Sequence, residues 1–289
     1  MTTSRKQGVL VTGSPRSGTT WAGKMLALAS GTRYLHEPLN NRFAVEQFEE
    51  EPFPYWFMYI SDFNESEYKQ KIGRMLGLAG RPAGKPSNQN EYPVIKDPIA
   101  VFSSDWMSRT FDLDVILMVR HPAAFVRSIL KLGWNTRPRV FLRQRPLLES
   151  WLQPMERELR IQLEREDPLT DAALMWKAIH LVVIEYRKRN PDWILARHED
   201  LAKSPLDAFR NLYQSLGLKY SPDVENQIRN HCSNHNPSVP RNHWDISRDS
   251  RLTTSAWQQY FTDDQLKIIR QVVEPVSSHF YSDDEWRTG

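Results

Sequence analysis

Gly13-Ser14-Pro15-Arg16-Ser17-Gly18-Thr19-Thr20 sets two glycines, a proline and small hydroxylated residues between an apolar run, Gly8 to Thr12, and an Ala/Leu/Met-rich segment, Thr19 to Ala29. Backbone N–H groups in such a turn, at the mouth of a helix, converge on an anion. The glycine spacing is that of the nucleotide loop G-x-x-x-x-G-K-[ST], yet Thr19 stands where that loop carries the lysine that reaches the β- and γ-phosphates. This speaks against ATP or GTP hydrolysis. Arg16 instead brings its cation in earlier, where it suits a single phosphate and the charge that grows on a bridging oxygen as a group is transferred. The plain alternative is a Gly/Pro turn that does no more than open a helix.

The elements that must hold this loop read as strand, loop, helix, followed by further strands at Thr32 to His36, Tyr92 to Lys96, Asp114 to Val119 and Trp193 to Arg197. The continuous apolar run DVILMV suits a buried parallel strand. Helical patterns at Ser103 to Thr110, Pro122 to Leu132, Asp171 to Arg189, Leu206 to Leu216 and Asp263 to Val273 alternate with them, which predicts an α/β fold with a parallel sheet flanked by helices. One domain, 1–289, covers them all. Arg81 to Glu91 reads as an exposed loop. Trp134 to Pro168, with Arg137, Arg139, Arg143 and Arg145 and a Glu/Arg-rich helical pattern from Met155 to Glu166, reads first as a solvated charged face and second as a lid or acceptor-binding insertion.

Composition narrows the classes further. The formal net charge is +3, from 38 basic and 35 acidic residues, so a general nucleic-acid surface is not implied and any anion site is local. The one cysteine, Cys232, rules out an internal disulfide and a cysteine-based zinc cluster and suits a reducing compartment. No run approaches the ~18 apolar residues that span a bilayer. The start, Met1-Thr-Thr-Ser, does not read as a signal peptide, so the expected location is cytoplasmic.

Ser14-Pro-Arg-Ser-Gly-Thr-Thr-Trp21 resembles the 5′-phosphosulfate loop of sulfotransferases that use 3′-phosphoadenosine 5′-phosphosulfate (PAPS). The resemblance implies a P-loop nucleoside-triphosphatase-like sulfotransferase fold in which Pro15, Arg16, Ser17, Gly18, Thr19, Thr20 and Trp21 hold the donor's 5′ end. The family's second mark is an arginine ending a strand and a serine eight positions later, both on the donor's 3′-phosphate; Arg120 and Ser128 match it. An arginine there lies at the ligand-binding edge of an open α/β sheet, and its guanidinium gives a fork of charge-assisted hydrogen bonds.

Sulfuryl transfer to a hydroxyl needs a base for the acceptor's proton. Cytosolic members of the family use a histidine in a K-T-H pattern, whereas this chain reads Lys96-Asp97-Pro98 and lacks it. His36-Glu37-Pro38 resembles the E-P segment of carbohydrate and bacterial sulfotransferases, which implies Glu37 as the base; a capping or salt-bridged glutamate is the plain alternative. Burial beside Leu35, Pro38 and Leu39 is expected to raise its pKa. His36 is a weaker rival, pointing the other way if the strand continues through it. Lys96 is expected at the transferring sulfate or the acceptor. His198, in a segment that resembles Y-E-D-L, is expected near the adenine, and Arg248, then Arg251, in a loop closing over a donor phosphate.

The resemblance implies no metal and an acceptor hydroxyl on a sugar or glycolipid. Two other classes stay in view: a P-loop nucleotide kinase, which would want the absent loop lysine and a magnesium-holding acid, and a non-catalytic phosphate-binding protein.

Overall fold

The computed structural model describes residues 6–80, 91–134, 138–165, 167–232 and 254–287. Five strands, β1 (Gly8–Gly13), β2 (Thr32–His36), β3 (Tyr92–Lys96), β4 (Leu113–Val119) and β5 (Ile194–Arg197), form one parallel sheet in the order β2-β3-β1-β4-β5. Each lies within a residue of its expected bounds; for β1, β3 and β4 the reason is that apolar runs long enough to be buried on both faces have little choice of structure.

Successive side chains of β1 leave the sheet on opposite faces. Val9 and Val11 join a core with Val94, Ile116, Met118 and Trp21, while Leu10 joins a larger one with Ile95, Leu117, Phe102 and Trp176. The helices that matter for the site are α1 (Thr19–Leu26), α2 (Asn41–Phe48), α3 (Glu65–Leu76), α4 (Ser104–Phe111) and α5 (Pro122–Lys131).

Helix α1 stops at Leu26, about a turn before the expected end at Ala29. The cause is local: the Thr32 hydroxyl donates to the carbonyls of Ala27 and Ala29 at 2.9 and 2.7 Å, an arrangement that supplies the partners a helix end lacks. The helix expected from Asp171 begins earlier, at Pro168, because Asp167 caps it by accepting from Leu169 N–H at 3.1 Å.

The 134–168 stretch is both a charged face and part of the core. Arg139, Arg143 and Arg145 face solvent, while Phe141, Leu147, Leu152 and Leu159 are fully buried in the larger core. Arg137 and residues 81–90 of the expected exposed loop lie outside the described residues. No helix among the described residues is long and apolar enough to cross a membrane.

Candidate active site

The turn from β1 into α1 has a backbone that few sequences can adopt. Gly13 sits at φ +130°, and a Cβ there would lie 2.1 Å from the Met118 carbonyl oxygen of β4. Gly18 sits at φ +93°, where a Cβ would lie 2.6 Å from Nδ1 of His198. Only glycine fits either place. Between them Arg16 takes a left-handed φ of 65°, a conformation that costs a non-glycine residue about 1–2 kcal/mol. Ser17 closes the turn by donating from Oγ to the Ser14 carbonyl at 2.6 Å. The backbone thus forms a preset cradle at the mouth of α1, and its residues fit an anion.

Arg120 stands where β4 ends, over this cradle. Its backbone carbonyl accepts from the Trp176 indole at 2.9 Å, and its Nη1 donates to the Arg16 carbonyl at 2.8 Å. Arg16 in turn donates from Nε to the Ser128 hydroxyl on α5 at 3.0 Å. The loop residue and the Arg120/Ser128 pair, expected at opposite ends of one nucleotide, therefore share a single hydrogen-bonded patch.

His198 and Trp21 are more enclosed than their expected contact with a nucleotide would suggest. Trp21 is 4% exposed and meets His198 and Phe209 edge-on at 5.8 and 5.3 Å, while His198 is 2% exposed and backs onto Gly18. Arg248 and Arg251 lie outside the described residues.

The second half of the site lies where β2 and β3 end side by side. Their register pairs His36 with Lys96, and the Glu37 N–H extends the ladder to the Lys96 carbonyl at 2.7 Å. Glu37 then turns left-handed at φ 47°, which ends the strand. Two expectations fail at this turn. His36 does not point away: its Nε2 lies 4.0 Å from Glu37 Oε1, because the left-handed residue breaks the alternation of side chains. Nor is the Glu37 pKa raised. Burial pushes it up, but the Lys96 charge and hydrogen bonds from Lys96 and Asn40 outweigh burial and hold it below the usual glutamate range.

The Lys96 ammonium donates directly to Glu37 Oε1, and Asn40 Nδ2 donates to Oε2 at 2.7 Å. Lys96 is 1% exposed, so its charge is almost wholly desolvated, and burial lowers its pKa against the pull of Glu37. His36 is pushed down to about 4, first by burial and then by the Lys96 charge, which leaves it neutral. Gly23 of α1 packs against Lys96: a Cβ there would approach the Lys96 Cβ to 3.0 Å. The cradle and the Glu37–Lys96 pair therefore flank one short helix.

Two further residues, Asn40 and Asp97, hold Glu37 and its turn, and local sequence pattern does not mark them for it. Asn40 both caps α2, accepting from Arg42 N–H at 3.2 Å, and holds Glu37; an Asn ahead of a helix is a signal for the first role only. Asp97 is wholly buried and grips the Glu37 turn; Asp-Pro before a helical turn signals a cap and says nothing of that reach. Among the described residues no group of three or more His, Cys, Asp or Glu is placed to hold a metal ion.

Comparison with known proteins gives a consistent family. The family model described as "Sulfotransferase domain" matches residues 6–281. Carbohydrate sulfotransferase 1 of Danio rerio is 26% identical over 91 residues, which is 30% of this chain and 22% of that protein. Carbohydrate sulfotransferase 5 of Mus musculus is 23% identical over 186 residues, 63% of this chain and 42% of that protein. The chain thus matches less than half the length of either relative. Among solved structures, the sulfotransferase domain from the Synechococcus PCC 7002 olefin synthase shares the fold, with a TM-score of 0.50 and 14% identity over 91% of this chain and 93% of that one.

Proposed function

The chain belongs to the sulfotransferase domain family, and from that premise we propose that it transfers the sulfuryl group of PAPS to an acceptor hydroxyl by direct in-line displacement. The observation that carries this reading is the hydrogen-bonded patch that joins Arg16 of the glycine cradle to Arg120 and Ser128. That these residues lie together is what a nucleotide with phosphates at both its 5′ and 3′ ends would require of them.

In this reading the turn from Pro15 to Trp21 holds the 5′-phosphosulfate, and Arg120 and Ser128 hold the 3′-phosphate. His198 backs the loop on the adenine side, with Arg248 and Arg251 supplying further cations. The acceptor oxygen attacks sulfur while the bond from sulfur to the phosphate oxygen breaks, so charge builds at both ends. Glu37, ionised at neutral pH, takes the acceptor's proton. Arg16 meets the negative charge left on the phosphate oxygen. Lys96, beside Glu37, faces the transferring sulfuryl oxygens. The donor supplies the reactive sulfur; every other part of the step falls to side chains, and no metal is needed in principle.

The acceptor class is a sugar hydroxyl, on a glycan or glycolipid. Glu37-Pro38 and the two carbohydrate sulfotransferases among the relatives favour it. The lone thiol, Cys232, suits a cytoplasmic setting.

The test is transfer of radiolabelled sulfate from PAPS to a panel of sugars with EDTA present and no ATP. Labelled product is expected under these conditions. Strict dependence on ATP or a divalent metal would instead point to a phosphotransferase.

A further inference from the structure

Asp97 follows Lys96 at the end of β3 and has no part in the chemistry above. Its carboxylate is fully buried, and its two oxygens go to two different segments. Oδ1 accepts from Ile99 N–H at 3.0 Å, capping the helical turn Pro98–Ser103. Oδ2 accepts from Leu39 N–H at 2.6 Å, across the gap between β3 and the Glu37 turn. The second contact is not part of any cap.

The backbone around Asp97 is equally fixed. Its own N–H donates to the Val11 carbonyl of the central strand at 3.0 Å. The last residue of β3 and the one after it thus grip both ends of the turn: the Lys96 carbonyl takes the Glu37 N–H, and the Asp97 carboxylate takes the Leu39 N–H. Pro38, between them, has no N–H to offer. Glu37 itself sits in a left-handed conformation that a free turn would relax, carrying its carboxylate off Lys96.

We infer that Asp97 is a positioning residue, whose buried carboxylate clamps the 37–39 turn so that Glu37 meets Lys96 and the acceptor. The inference rests on Glu37 being the base. It differs from a cap or a general core role in acting through one other side chain.

The test compares Asp97→Ser and Asp97→Asn, alone and combined with Glu37→Gln. Serine can keep the cap to Ile99 but is too short to reach Leu39; asparagine keeps the shape but has one acceptor oxygen for the two N–H groups and sets an amide N–H against the other. Each is expected to lower kcat by about tenfold or more, since a small misplacement of a catalytic group is enough for that. Affinity for adenosine 3′,5′-bisphosphate should stay within about twofold, and in the Glu37→Gln background the added loss should vanish, as for residues acting as a unit.

Unchanged kcat, losses that multiply in the double variants, or failure of both single variants to fold would overturn the positioning role. Wild-type turnover in Glu37→Gln would overturn the base assignment and this inference with it. A slow Glu37→Gln beside a fast Asp97→Ser would sink the inference alone.

Discussion

Replacing Glu37 by glutamine probes both what the Glu37–Lys96 pair does for the fold and what it does for turnover. The side chain keeps its shape and loses its charge, leaving the Lys96 ammonium, 1% exposed, without its anion. Removing one partner of a buried ion pair costs about 3–5 kcal/mol. Here Glu37 is 16% exposed, and a glutamine oxygen still accepts from Lys96, so the expected loss is at or below that range, about 2–3 kcal/mol. For a domain of this size this lowers Tm by roughly 3–5 °C.

Loss of the base is a separate and larger effect on rate, about 10²-fold or more in kcat. Binding of adenosine 3′,5′-bisphosphate, held in the proposed reading by the β1–α1 turn, Arg120 and Ser128, should hold within about twofold. Initial-rate transfer assays, thermal melts and titration calorimetry on the same variant separate the three quantities. A lower Tm with near-normal turnover would leave the pair a purely structural bridge. Loss of bisphosphate binding together with turnover would mean that the loop has moved, and the argument for Glu37 as base would fail.

Other expectations follow from the same geometry. A base at Glu37 would act ionised, with its pKa held down by Lys96 and Asn40 despite burial, so the acid limb of kcat/KM should fall below the ordinary glutamate range; in Lys96→Met, burial is opposed chiefly by the Asn40 hydrogen bond and the limb should move up in a pH–rate profile. Asp97 behaves with the opposite sign: burial and the Glu37 charge raise its pKa to about 7, so the stability it contributes is present below the ordinary aspartate range and lost as pH rises to about 7. Melts of Asp97→Asn across that window should be flatter than those of the parent. Gly18→Ala places a Cβ 2.6 Å from His198 at a φ of 93°, and should cost about 2 kcal/mol or more and weaken bisphosphate binding; an unchanged melt would contradict the reading of the cradle as glycine-only.

The legible part of this molecule is the part written in local pattern. GVLVTG, YPVIK and LDVILMV are apolar enough to be buried strands wherever they fall, and a glycine-rich turn between a strand and a helix announces an anion cradle. Helices α2 and α3 are not legible in the sequence because NRFAVEQF and ESEYKQKIGRML mix charge with scattered apolar residues, and tertiary contacts decide such segments. The electrostatics of Glu37 were misjudged for another reason. Burial could be guessed from Leu35, Pro38 and Leu39, but the neighbour that reverses its effect, Lys96, lies 59 residues away and arrives only through the β2–β3 register. The left-handed turn that brings His36 alongside is likewise held by contacts distant in sequence, from Lys96 and Asp97.

The claim on which the rest depends is that one nucleotide is held at two phosphates, by the β1–α1 turn and by Arg120 with Ser128. Calorimetric binding of adenosine 3′,5′-bisphosphate and of adenosine 5′-monophosphate to the parent protein and to Arg120→Ala tests it directly. Loss of charge-assisted hydrogen bonds to the 3′-phosphate should weaken the bisphosphate by about 10–100-fold and the monophosphate by less than about threefold. Equal weakening of both ligands, or of neither, would contradict the account.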